Sequence, residues 1–125
     1  MAHRSRLGVV VIDCETDDLG PATEFWQSAL GVSGKVDGDG KYAVLADWQG
    51  YPKILLQAVS HAPRVHLDIE TDDQEAEATR LSALGAREIN RLTGWIVMEA
   101  PTGHRFCLVK PQGNDFPGDA ARWGD

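Results

Sequence analysis

Two stretches decide how this chain is read: VIDCETDD at Val11–Asp18 and HLDIETDD at His66–Asp73. Their last four residues are the same, and Asp13 corresponds to Asp68. The other pairs are apolar in both copies except the first, where Val11 stands against His66. A second marker, SALG, occurs at Ser28–Gly31 and again at Ser82–Gly85. Glu15 to Glu70 is 55 positions and Ser28 to Ser82 is 54. One extra residue in the first copy, within Leu19-Gly20-Pro21, accounts for the difference. Two markers at nearly one period indicate an internal duplication, and two copies are too few for a solenoid.

Each copy predicts the same order of elements. LGVVVIDCE and RVHLDIE are rich in β-branched residues and read as strands. The TDD that follows supplies helix caps, because Thr and Asp side chains accept from otherwise unpaired N–H groups. ATEFWQSALG and DDQEAEATRLSALG then carry helical spacing, and Gly31 and Gly85 end the helices. Three further strands follow in each copy: GKV, KYAVLADW and PKILLQAV in the first, and AREINRL, GWIVMEA and HRFCLVKP in the second. In RVHLDIE, alternation sets Val65, Leu67 and Ile69 on a helix-packed face and His66, Asp68 and Glu70 on the other. Val11, Asp13 and Glu15 occupy the corresponding polar face of the first copy.

The 125 residues suit a single domain, with one module at about 7–59, a second at about 64–111, and a tail at 112–125. A net charge of −7 argues against nucleic acid and anionic membrane surfaces as partners. No apolar run approaches the roughly 20 residues of a spanning helix. No long apolar segment follows MAHRSRLG, so no export signal is read and a cytoplasmic location is expected. Cys14 and Cys107 then read as free thiols. The tail is expected to be coil or a short helix around DAARW, anchored by Trp123.

The fold class predicted is α+β, with two tandem βαβββ modules forming a curled mixed sheet around a shared cleft. Over Leu7–Pro111 the sequence resembles the vicinal oxygen chelate superfamily, in its glyoxalase-like and bleomycin-resistance-like branch. The stretches that carry the resemblance are VVVIDCETDD…EFWQSALG, PKILLQAV, RVHLDIETDD…ATRLSALGAR and WIVMEAPTGHRFCLVKP. In metal-dependent members of that superfamily, positions on the first and last strand of each module hold a divalent ion. The resemblance maps them here to Val11, His66, Gln57 and Cys107. His66 is a strong ligand, Gln57 offers an amide oxygen, Cys107 stands where a carboxylate is usual, and Val11 has no donor. A metal, if held, would rest on His66, Gln57 and Cys107. The mismatch of donor types makes no cofactor the expectation and a divalent metal the alternative.

The chemistry assigned is therefore that of a small-molecule site. His66 and Glu70 are the catalytic candidates, with His66 as general base. Asp68, Gln57, Trp48, Trp95 and Cys107 are the substrate-binding candidates; the two tryptophans would floor an apolar pocket. His3, His61 and His104 stand in no motif. The function expected is metal-independent binding of a small organic molecule, with or without turnover. The alternatives are a metal-dependent lyase, isomerase or dioxygenase of the glyoxalase type, and a non-catalytic drug-binding protein. From the resemblance, a homodimer is expected.

Overall fold

The computed structural model describes residues 2–45, 52–112 and 116–124. In chain order the elements are β1 (His3–Glu15), α1 (Leu19–Leu30), β2 (Gly34–Val36), β3 (Tyr42–Leu45), β4 (Lys53–Val59), β5 (Arg64–Thr71), α2 (Gln74–Ala83), β6 (Arg87–Leu92), β7 (Trp95–Glu99), β8 (Arg105–Val109), α3 (Phe116–Asp119) and β9 (Ala121–Trp123). The fold is α+β, of mixed sheet and two full helices. Its residues group into two compact units, Val9–His66 and, discontinuously, Met1–Gly8 with Leu67–Asp125. β1 and β5 each run through both.

The doubled ETDD does the same work twice. Thr16 Oγ1 accepts from the Asp18 N–H, and Thr71 Oγ1 from the Asp73 N–H. Asp18 then caps α1 by accepting from the Gly20 N–H, and Asp73 caps α2 by accepting from the Ala76 N–H. Gly31 closes α1 in the left-handed region at φ 71°, a conformation that costs a residue with a Cβ.

In the Val9–His66 unit the strand order is β2-β3-β4-β1, with β1 and β4 parallel and the other pairs antiparallel. Leu19, Ala43 and Leu56 form its core, covered by Ile12, Ala22, Trp26 and Val36. Trp26 packs as a helix-face residue, whereas its neighbour Phe25 is exposed and meets it edge-on.

In the other unit β5 pairs with β8 in parallel, and β8, β7 and β6 follow antiparallel. Ala78, Ile96, Met98, Phe106 and Leu108 form the core, with Ile69 packed against it. The helix-facing row expected on β5 is thus only partly covered: Ile69 packs, but Val65 is 54% and Leu67 40% exposed.

β1 is longer than the β-branched run predicts. Its polar start is held in the sheet because His3, Arg4 and Ser5 pair with β9. The tail is a four-residue helix at Phe116–Asp119 followed by strand β9, rather than a helix at DAARW. Its anchor is Trp123, whose Nε1–H donates to Ser5 Oγ at 2.8 Å. The Arg80 guanidinium lies 3.8 Å from the centroid of the Trp123 ring. Arg80 also clamps the fully buried Glu77 through two hydrogen bonds of 2.8 Å, and His3 Nε2 meets the same carboxylate at 2.7 Å. Burial would raise the Glu77 carboxyl, but hydrogen bonds from Arg80, His3 and Ser5 outweigh it and hold the group below the usual carboxylate range.

Gly8 marks a close approach on β1. A Cβ there would stand 2.4 Å from Glu70 Cγ and 2.6 Å from Cδ. Glu70 cannot easily move, because Arg6 Nε–H donates to it at 2.9 Å and the Gln112 N–H at 3.2 Å. Gly8→Ala should therefore cost about 1–3 kcal/mol, as overpacking of a fixed neighbour does. The midpoint of urea unfolding measures it; an unchanged midpoint would mean that Glu70 gives way freely.

Candidate functional site

Along the second half of β1, Val9 and Val11 are buried, and Asp13 is the next residue on the same side of the strand. Asp13 is only 3% exposed, so its carboxylate has exchanged water for protein partners. Those partners come from the short stretch His61–His66. His66 Nδ1 lies 2.9 Å from Asp13 Oδ2. Arg64 Nε is 3.6 Å and His61 Nε2 3.8 Å from the same oxygen. The other oxygen, Oδ1, is buried and has no hydrogen-bond partner.

A carboxylate can only accept, so Nδ1 of His66 is the donor and the tautomer is fixed. In the neutral ring Nε2 then carries the basic lone pair. The ring is also held in orientation by a buried group that would stabilise its protonated form. This is the physical content of an Asp–His pair in acid–base catalysis. His61 is oriented in turn, because its Nδ1–H donates to the Ala62 carbonyl at 2.8 Å.

Gln57 stands in register with Asp13 across β1 and β4, and with Tyr42 across β4 and β3. Tyr42, Gln57 and Asp13 thus form one lateral row on one face of the sheet. Cys14, next along β1, faces the other way among the core side chains. Burial, then the Asp13 charge, pushes its thiol up, which keeps it unreactive.

On β5, Asp68 is two residues beyond His66 and in register with Cys107 of β8. Cys107 is in register with Val97 of β7, and Trp95 shares the face of Val97, opposite the buried Ile96 and Met98. Trp95 is partly exposed there. Glu70 is buried and committed to Arg6 and the Gln112 backbone. Trp48 lies outside the described residues. His104 is exposed and bonds Thr102.

Asp13 as the orienting carboxylate of His66 was not foreseen, nor were Arg64 and His61 as its companions. Alternation did set Asp13 on the polar face. What pairs it with a residue 53 positions away is tertiary contact, which no local pattern announces.

The donors for a metal can be weighed on the same geometry. His66 and Asp68 on β5 and Cys107 opposite offer one imidazole, one carboxylate and one thiol. Val11, 1% exposed and apolar, contributes none. A hard octahedral ion of the glyoxalase kind asks for oxygen and imidazole donors, and this set with its sulfur does not fit it.

The sequence matches the Glyoxalase-like domain family over residues 9–109. The chain belongs to that family, and so to the vicinal oxygen chelate superfamily. Two solved structures show the same fold at low identity. A hypothetical protein from Bacillus halodurans has a TM-score of 0.66 at 14% identity, over 88% of this chain and 96% of that one. A chain described as an NAD-dependent benzaldehyde dehydrogenase from Legionella pneumophila has a TM-score of 0.60 at 13% identity, over 83% of this chain and 98% of that one. No curated protein matches the chain.

Proposed function

We propose that this glyoxalase-like protein binds a small organic molecule and removes a proton from it, without a metal, using His66 as the base. The observation that carries the reading is the 2.9 Å contact between His66 Nδ1 and the buried Asp13 carboxylate. Gln57, in register with Asp13, is the proposed hydrogen-bonding contact to the ligand. Asp68 and Cys107, in register on β5 and β8, and Trp95 of β7 are proposed as further ligand contacts; Trp48 stays a candidate on its residue type. Glu70 supports the β5 strand through Arg6 rather than the reaction. The repeated order of strand, helix and three strands supports descent from a duplicated βαβββ module. No helix among the described residues is long and apolar enough to cross a membrane. A cytoplasmic location and a homodimer belong to the same reading.

The test is exchange of carbon-bound hydrogen for deuterium in small carbonyl compounds, pyruvate and dihydroxyacetone first, followed by NMR. The wild type should accelerate exchange, and His66→Ala should lower the rate by about 10²–10⁴-fold, the usual worth of a positioned base. Elemental analysis of the same protein should find no stoichiometric ion. An ion that is lost in His66→Ala would instead favour a metal-dependent lyase or isomerase. Ligand binding without any exchange would favour a non-catalytic binder.

A further inference from the structure

Arg64 and His61 have no part in orienting His66, yet both are drawn to the same carboxylate. Asp13 carries one negative charge, and a single hydrogen bond to His66 already uses Oδ2. Arg64 comes to 3.6 Å of that oxygen, through Nε. Its two terminal nitrogens make no hydrogen bond among the described residues. The edge they form presents two parallel N–H groups that match a carboxylate or phosphate. The Arg64 side chain is 49% exposed and that of His61 41%, so both are open to solvent on the side away from Asp13. In a chain of net charge −7, Arg64 is a guanidinium that stands with two imidazoles around one carboxylate oxygen.

We propose that the guanidinium of Arg64, with the His61 ring beside it, receives an anionic group of the ligand, a carboxylate or a phosphate. This rests on the reading of His66 as the base and names the class of molecule it acts on. Binding the anion at Arg64 would leave the reacting carbon to be presented to His66, two residues along the same strand. The anion would also lower the cost of the positive charge that His66 acquires on taking the proton.

The experiment is an NMR titration of the His61 and His66 ring resonances with inorganic phosphate, pyruvate and uncharged pyruvamide. It uses wild type, Arg64→Gln, Arg64→Lys and His66→Ala, each first shown to be folded by circular dichroism. At least one anion should give saturable shifts, Arg64→Gln should weaken it tenfold or more, and Arg64→Lys should recover part of the loss. A stronger response to phosphate than to pyruvate would assign a phosphate ester, and the reverse a carboxylic acid. Pyruvamide binding as well as pyruvate, Arg64→Gln binding undiminished, or no saturable shift with either anion would each overturn the inference. If His66→Ala keeps its deuterium exchange while anion binding still needs Arg64, the base assignment fails and the anion site stands.

Discussion

Glu77→Ala is expected to lower the stability of folding by about 3–5 kcal/mol, the range seen when one partner of a buried ion pair is removed. Glu77 is fully buried on α2 and takes two hydrogen bonds from Arg80 and one from His3. Its loss strands a guanidinium and an imidazole together. His3 is 7% exposed, and its Nδ1 already has no partner, so it has no alternative bond to turn to. Arg80 would also lose the hold that keeps it over Trp123. Urea unfolding with an unchanged slope measures the effect, and a loss under about 1 kcal/mol would show that water replaces the carboxylate. The same group predicts a pH dependence. Its folded carboxyl lies below the ordinary 4.5, so near that pH the unfolded chain binds more protons than the folded one. The contribution of Glu77 is therefore complete above 4.5 and is lost as pH falls through the lower folded value. In Glu77→Gln that segment of the stability curve should flatten.

Asp13→Asn should lower the proton-exchange rate by about 10³–10⁴-fold while leaving ligand affinity within a few-fold. An amide in place of the carboxylate can turn its NH₂ toward Nδ1, which moves the ring proton to Nε2 and removes the base. It also withdraws the charge that stabilises a protonated His66. If the rate stays within tenfold of wild type, Asp13 serves only the fold. A fall in affinity as large as the fall in rate would mean that the ligand, not the imidazole, depends on this carboxylate.

Much of the fold was legible because its signals are local. The doubled ETDD predicts two strand-to-helix corners, and Thr16, Asp18, Thr71 and Asp73 make the bonds their side chains are suited to. The family resemblance rests on the same stretches. The features that sequence did not reveal are those made by distant residues. Glu75 and Glu77 read alike in DDQEAEATR, yet one is exposed and the other buried. Tertiary partners such as His3, 74 positions away, distinguish them. His3 and His61 stand in no sequence motif for the same reason. His66 stood out because it breaks a repeat, but its partner Asp13 is conspicuous only once β1 is beside it. The exposed Val65 and Leu67 show the opposite error: alternation assigns a face but not how much of that face is covered.

The bond from Trp123 to Ser5 spans 118 residues, and it has a consequence for the order of folding. The Val9–His66 unit is one unbroken stretch, so its parallel β1–β4 pair closes a loop of moderate length. The other unit needs His3–Gly8 to be joined by the chain from Leu67 onward and sealed by a strand ending at Trp123. That closure has a larger entropic cost and no local contacts to repay it early. His3, Arg4 and Ser5 gain their β9 partners only once Ala121–Trp123 is available. The Val9–His66 unit, with the proposed Asp13–His66 site inside it, can acquire structure first.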